Sequence, residues 1–123
     1  MTRTAAERAA IARDGATCQR CGRDLTDFPA SVHHRQPKGA GGGDKGRYDR
    51  VENLIVLCGT GSTPHCHLDA HTASDRYDTG WLVHRYEDPL TVPLIDLSGR
   101  RFFLSEEGEH VDIFLPDPGP VPF

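Results

Sequence analysis

With 123 residues, of which 37% are hydrophobic, the chain is sized for one domain with a thin core and leaves no room for several. Its formal charge of −4 argues against a uniformly basic nucleic-acid binder, and no apolar run approaches the roughly 20 residues of a bilayer span. The N-terminus lacks the apolar stretch of a signal peptide, so the four cysteines are expected in a soluble, reducing, cytoplasmic setting, where a Cys-x-x-Cys turn is a metal site rather than a disulfide.

In chain order, Thr4-Ala5-Ala6-Glu7 has the form of a capping box, and the alanine-rich stretch to Arg13 predicts a helix that Asp14-Gly15 stops. Cys18-Gln19-Arg20-Cys21 follows, with Gly22 flanking the turn: two thiolates at this spacing supply half of a tetrahedral zinc site. Ser31-Val32-His33-His34 reads as a short strand, and a loop runs from Pro37 to Arg50, rich in glycine from Gly39 to Gly46. Asn53-Leu54-Ile55-Val56-Leu57 is an apolar run of strand length, which predicts a buried strand pairing with the His33 strand across that loop.

Thr63 then fits an N-cap and Pro64 a first helical position, opening a short helix that carries Cys66, His67 and His71. His67 and His71, at i and i+4, share a face, as two imidazoles on one ion must; Cys66 is rotated about 100° from His67 and can serve a different ion. Beyond it, Trp81-Leu82-Val83-His84-Arg85-Tyr86 alternates as a strand. Arg101-Phe102-Phe103-Leu104 and Val111-Asp112-Ile113-Phe114-Leu115 predict a hairpin through Glu106-Glu107-Gly108-Glu109. Trp81 and Tyr86 read as packing residues rather than base-stacking platforms, and His84 and His110 as ordinary histidines. The proline-rich stretch 116–123 predicts an extended tail.

The metal-binding residue types sort into two sets. Cys58 and Cys66 can complete the zinc site begun by Cys18 and Cys21, which uses every cysteine. What remains, His33, His34, Asn53, His67 and His71, contains no sulfur and suits a hydrolytic metal with an open coordination position. His65 lies inside the stretch separating Cys58 from Cys66, so a Cys3His set, or a histidine exchanging into either metal, stays open beside the four-cysteine arrangement.

Taken together, Cys18-x-x-Cys21-Gly22, Val32-His33-His34-Arg35, Glu52-Asn53-Leu54-Ile55-Val56-Leu57-Cys58 and Cys66-His67-x-x-x-His71 resemble the HNH endonucleases of the ββα-metal, or His-Me finger, type. The stretch 33–39 and Gly80-Trp81 are similar to the small HNH proteins of actinobacteria and their phages. The resemblance implies a ββα-metal core with a zinc knuckle over about 14–72; with the N-terminal helix and a C-terminal β extension over about 80–115 read from the residues themselves, the expected fold is α+β. A single domain would then span 1–115, with 116–123 as tail.

The same resemblance implies roles. His34 would be the general base, since a neutral imidazole can accept a proton from water at neutral pH, and Asn53 would orient it. His33, His67 and His71 would hold a catalytic divalent ion, one of Mg2+, Mn2+, Ni2+ or Zn2+, and the cysteines a structural Zn2+. The implied activity is hydrolysis of DNA phosphodiester bonds to 5'-phosphate and 3'-hydroxyl ends, and phage-type members suggest a place beside a packaging terminase. Residues 1–58 carry 10 Lys and Arg against 7 Asp and Glu, whereas residues 59–123 carry 4 against 11. The basic half therefore holds the candidates for phosphate contact, Arg35 and Lys38, of which Arg35 directly follows the base and has the fork geometry a phosphate suits. The competing reading is a zinc-stabilised nucleic-acid-binding or adaptor module without catalysis.

Overall fold

Thr4 and Glu7 form the expected reciprocal cap: Glu7 N donates to Thr4 Oγ1 at 3.1 Å and Thr4 N to Glu7 Oε1 at 3.2 Å. They open α1, Ala5–Asp14, which stops at Gly15 where φ is +65°. The computed structural model describes residues 3–37 and 48–113; Lys38, the glycine-rich part of the predicted loop and the tail 116–123 lie outside the described residues.

Strand β1, Ala30–His34, pairs antiparallel with β2, Leu54–Cys58, in a register that sets His33 opposite Ile55 and His34 opposite Leu54. Every residue of β2 is buried, which is why its sequence is a continuous apolar run rather than an alternation. Asn53 ends a short 3-10 turn, Val51–Asn53, instead of opening the strand.

The next helix among the described residues, α2, is Cys66–Thr72 and begins after His65, two residues later than Thr63-Pro64 suggested. Two competing bonds explain the shift. Thr63 Oγ1 accepts from Thr60 N at 3.0 Å, closing its own turn, and the Cys66 amide donates to Cys58 Sγ at 3.4 Å, so a sulfur takes the place of the capping hydroxyl. The β1-β2 pair with α2 is the ββα unit, and with α1 and the C-terminal strands it makes the fold α+β.

Residues 81–86 form no strand. Their backbone bonds run elsewhere: Leu82 N to Arg76 O, Val83 N to Arg35 O, and Glu87 N back to His84 O in a turn. A three-stranded antiparallel sheet follows, β3 (Leu94–Ile95), β4 (Arg101–Leu104) and β5 (His110–Asp112). It contains the predicted hairpin, with Phe103 opposite Val111, although its second strand is His110–Asp112 rather than Val111–Leu115, of which Phe114 and Leu115 lie outside the described residues; it also adds the two-residue strand β3. One core joins the two sheets: Ile55 and Leu57 of β2 cluster with Trp81, Leu94, Phe102 and Leu104 and with Ala70 of α2. No helix among the described residues is long and apolar enough to cross a membrane.

Candidate metal and catalytic site

Folding gathers two groups of metal-ligating side chains, each with its ligand atoms all within 4.8 Å of one another. The first is Cys18, Cys21, Cys58 and Cys66. The knuckle places Cys18 and Cys21 by a tight turn, in which Gly22 N donates to Cys18 O at 2.9 Å and Gly22 itself sits at φ +81°, a backbone state that a side chain would strain. The end of β2 supplies Cys58 and the start of α2 supplies Cys66. Cys21 Sγ and Cys58 Sγ stand 3.9 Å apart, close to the spacing of about 3.8 Å that tetrahedral zinc–sulfur bonds of about 2.3 Å require.

The surroundings favour thiolate at Cys18 and the protonated thiol at Cys66, which shares a hydrogen bond with it. A hydrogen bond with Cys66, together with backbone amides including those of Cys21 and Cys58, draws the Cys18 thiol down to about 4. Burial instead pushes Cys58 upward. Arg20 donates to Cys66 Sγ at 3.4 Å and pairs with Asp69 at 3.2 Å, setting a cation beside the cluster. The His65 ring packs edge-on to Phe28, 4.9 Å between centroids, and the sulfur cluster closes without it.

The second group is His33, His67 and His71. Their rings meet at centroid separations of 4.8 to 5.3 Å. The protein itself sets the tautomers of two of them. His33 Nε2 lies 2.6 Å from the Trp81 carbonyl, which can only accept, so Nε2 carries the proton and Nδ1 the lone pair. Ser31 Oγ gives its one proton to Gly59 O at 2.7 Å and therefore accepts from His67 Nδ1, which leaves the lone pair of His67 on Nε2.

His33 Nδ1 is buried with no hydrogen-bond partner. A buried acceptor without a partner costs free energy on its own, and an ion in this group removes that cost. Burial also lowers the pKa of His33 to about 3 and of His67 to about 4, and lowers that of His71, so all three are neutral ligands at physiological pH.

His34, one residue on, occupies the other environment. It is partly exposed and lines a cavity of about 280 Å³ with Val32, Pro37, His67 and His71. Its Nε2 is 3.3 Å from Asp49 Oδ1. Asp49 is a contact that sequence reasoning missed; it sits at the end of a glycine loop, where no spacing rule links it to a histidine 15 residues away.

Two expected roles change on inspection. Asn53 does not touch the His34 ring: its Oδ1 accepts from Gln36 N at 2.7 Å, and its Nδ2 donates to Gln36 O at 3.1 Å and Tyr48 O at 2.8 Å. It ties together the two ends of the loop that leaves β1 and returns toward β2, and so positions the backbone beyond His34 rather than the imidazole. Arg35, expected at a phosphate, is 0% exposed, and its guanidinium donates to the carbonyls of Gly80, Glu52, Pro89 and Val92 at 2.7 to 3.2 Å. Strand alternation turns it inward, where it fastens the C-terminal segment to β1; no face of it is left for a ligand.

The HNH endonuclease family model matches residues 18–73, the stretch that holds all seven cysteines and histidines of the two groups. No curated protein and no solved structure gives a match.

Proposed function

We propose that the HNH endonuclease domain carried by residues 18–73 makes this protein a metal-dependent endonuclease that hydrolyses DNA phosphodiester bonds. The observation that carries the reading is the convergence of His33, which keeps a buried and unpartnered Nδ1, with His67 and His71 beside an accessible His34. A purely structural histidine cluster would satisfy its buried nitrogen internally, as Ser31 does for His67.

In this mechanism His34 is the general base. Asp49 accepts the proton-bearing Nε2, which fixes the ring and leaves Nδ1 to take the proton of the attacking water. His33, His67 and His71 would hold the divalent ion, which would supply positive charge for the scissile phosphate and the leaving 3'-oxygen. Trp81 O and Ser31 Oγ each bond one nitrogen of the His33 and His67 rings and so leave the lone pair on the other nitrogen available to an ion. The four cysteines hold a structural zinc that ties the knuckle to β2 and α2.

The test is nicking of supercoiled plasmid by purified protein with Mg2+, Mn2+, Ni2+ or Zn2+. Cleavage is expected with at least one of them, suppressed by EDTA and by His34→Ala. Plasmid binding without nicking under every metal would replace this reading with a non-catalytic nucleic-acid-binding module.

A further inference from the structure

Three rings outside the metal centres lie in register. Tyr77 and His84 stack at 3.9 Å between centroids with 3° between their planes, and His84 and Tyr86 at 5.2 Å with 5°. The Arg76 guanidinium covers Tyr77 at 5.0 Å, so the column begins with a cation and ends at Tyr86. Tyr86, expected from sequence to pack inward, is 85% exposed, the most exposed of the large apolar side chains among the described residues. A single exposed aromatic is ordinary. A ring held parallel to two others, with its outer face in water, is a prepared surface.

Its place relative to the proposed base is fixed. Gln36, two residues beyond His34, donates from Nε2 to His84 O at 2.7 Å and Glu87 O at 3.0 Å, gripping both ends of the turn that displays Tyr86. Val83 N donates to Arg35 O at 2.8 Å, securing the same turn to the end of β1. A cavity of about 330 Å³ beside Tyr86 is lined by Gln36, Arg50, Arg85 and Glu87.

We propose that Tyr86, backed by His84 and Tyr77, is a stacking platform for a nucleobase of the DNA substrate. Resting on the endonuclease reading, this names the substrate class as DNA with an unpaired or terminal base near the cut, because a base inside an intact duplex has both faces covered by its neighbours. The nearby charges favour a base over a phosphate on the ring itself: Glu52, Glu87 and Asp88 line the cavity beside Tyr86 with Arg50 and Arg85, and three carboxylates against two guanidinium groups disfavour a phosphate there, whereas an uncharged base face meets no such penalty.

The experiment is fluorescence anisotropy with full-length His34→Ala protein, in which cleavage is blocked, titrated into a labelled single-stranded oligonucleotide and into covalently closed duplex circles. Adding Tyr86→Ala should weaken single-strand binding by about tenfold or more, Tyr86→Phe should restore it, and affinity for closed circles should be unchanged. The melting temperature of Tyr86→Ala should match its parent, since a residue this exposed contributes little to the core. Equal single-strand affinity with and without the ring overturns the platform, as does equal weakening on both DNAs. Wild-type nicking of plasmid is scored separately: nicking with no Tyr86 effect removes the platform alone, and a Tyr86 effect without nicking under any metal removes the endonuclease reading alone.

Discussion

His33 and His34 are neighbours in sequence with opposite surroundings, and strand geometry is the cause: successive side chains leave a strand on opposite faces. His33 is sealed under Trp81 with one nitrogen bonded and one bare, while His34 reaches the cavity beside Asp49. Their removal should therefore fail differently. His34→Ala should reduce cleavage about 100-fold or more and leave calorimetric binding of the catalytic ion nearly intact, whereas His67→Ala should weaken that binding and be partly rescued by excess metal. Asp49→Asn keeps the shape but not the charge that holds the proton on Nε2, and should lower the rate by a smaller factor with metal affinity unchanged. Loss of metal binding in His34→Ala, with binding spared in His33→Ala, would mean that base and ligand have been exchanged. The histidines themselves were legible because imidazole is chemically distinctive. Their supports were not: a Trp81 carbonyl, a Ser31 hydroxyl and the Asp49 carboxylate are common groups whose roles arise only when the chain folds around them.

At the level of elements, local chemistry predicted structure where it met no competitor. The capping box of α1 formed as read, and the apolar run of β2 became a fully buried strand. It failed where tertiary contacts claimed the same atoms. Thr63 was drawn into the turn with Thr60, and the apparent strand at 81–86 came from burial of three consecutive residues, Trp81, Leu82 and Val83, rather than from strand pairing. Strand β3, two residues long, leaves too little pattern to detect. The sulfur cluster joins three of these elements at once, as Cys18 follows α1, Cys58 ends β2 and Cys66 starts α2. A structural ion there contributes directly to folding. Cys18→Ser combined with Cys21→Ser should abolish tightly bound zinc, measured by elemental analysis of the purified protein, and should cause loss of the cooperative thermal transition. A well-folded, fully active double variant free of zinc would show that the knuckle is held by packing alone.

Across the described residues, the first helix and the last strand are joined by a buried carboxylate. Asp14, at the last turn of α1, accepts from Arg13 at 2.7 and 3.0 Å, from Val56 N of β2 at 2.8 Å, and lies 2.8 Å from His110 Nε2 of β5. His110 had read as an ordinary histidine because its partner is 96 residues away, a separation no sequence pattern spans. Burial alone would raise the Asp14 carboxyl, but the bonds from His110, Arg13 and Val56 more than offset it and hold the pKa below 3.8. The sign of the pH effect follows. The unfolded chain protonates this group at a higher pH than the folded one, so its stabilisation is complete above the unfolded value of about 3.9 and is lost as pH falls through the folded value. Asp14→Asn leaves the buried Arg13 guanidinium without its anion, and breaking a buried pair in this way costs about 3 kcal/mol or more. Urea unfolding should therefore show a wide gap between wild type and Asp14→Asn at neutral pH. That gap should begin to close below about pH 4, where the unfolded chain takes up the proton first, and should finish closing as pH falls through the lower folded value, where the wild-type carboxyl is itself neutral. A gap of constant size down to the acid limit of folding would show that Asp14 acts through shape and hydrogen bonding alone, with no contribution from its charge.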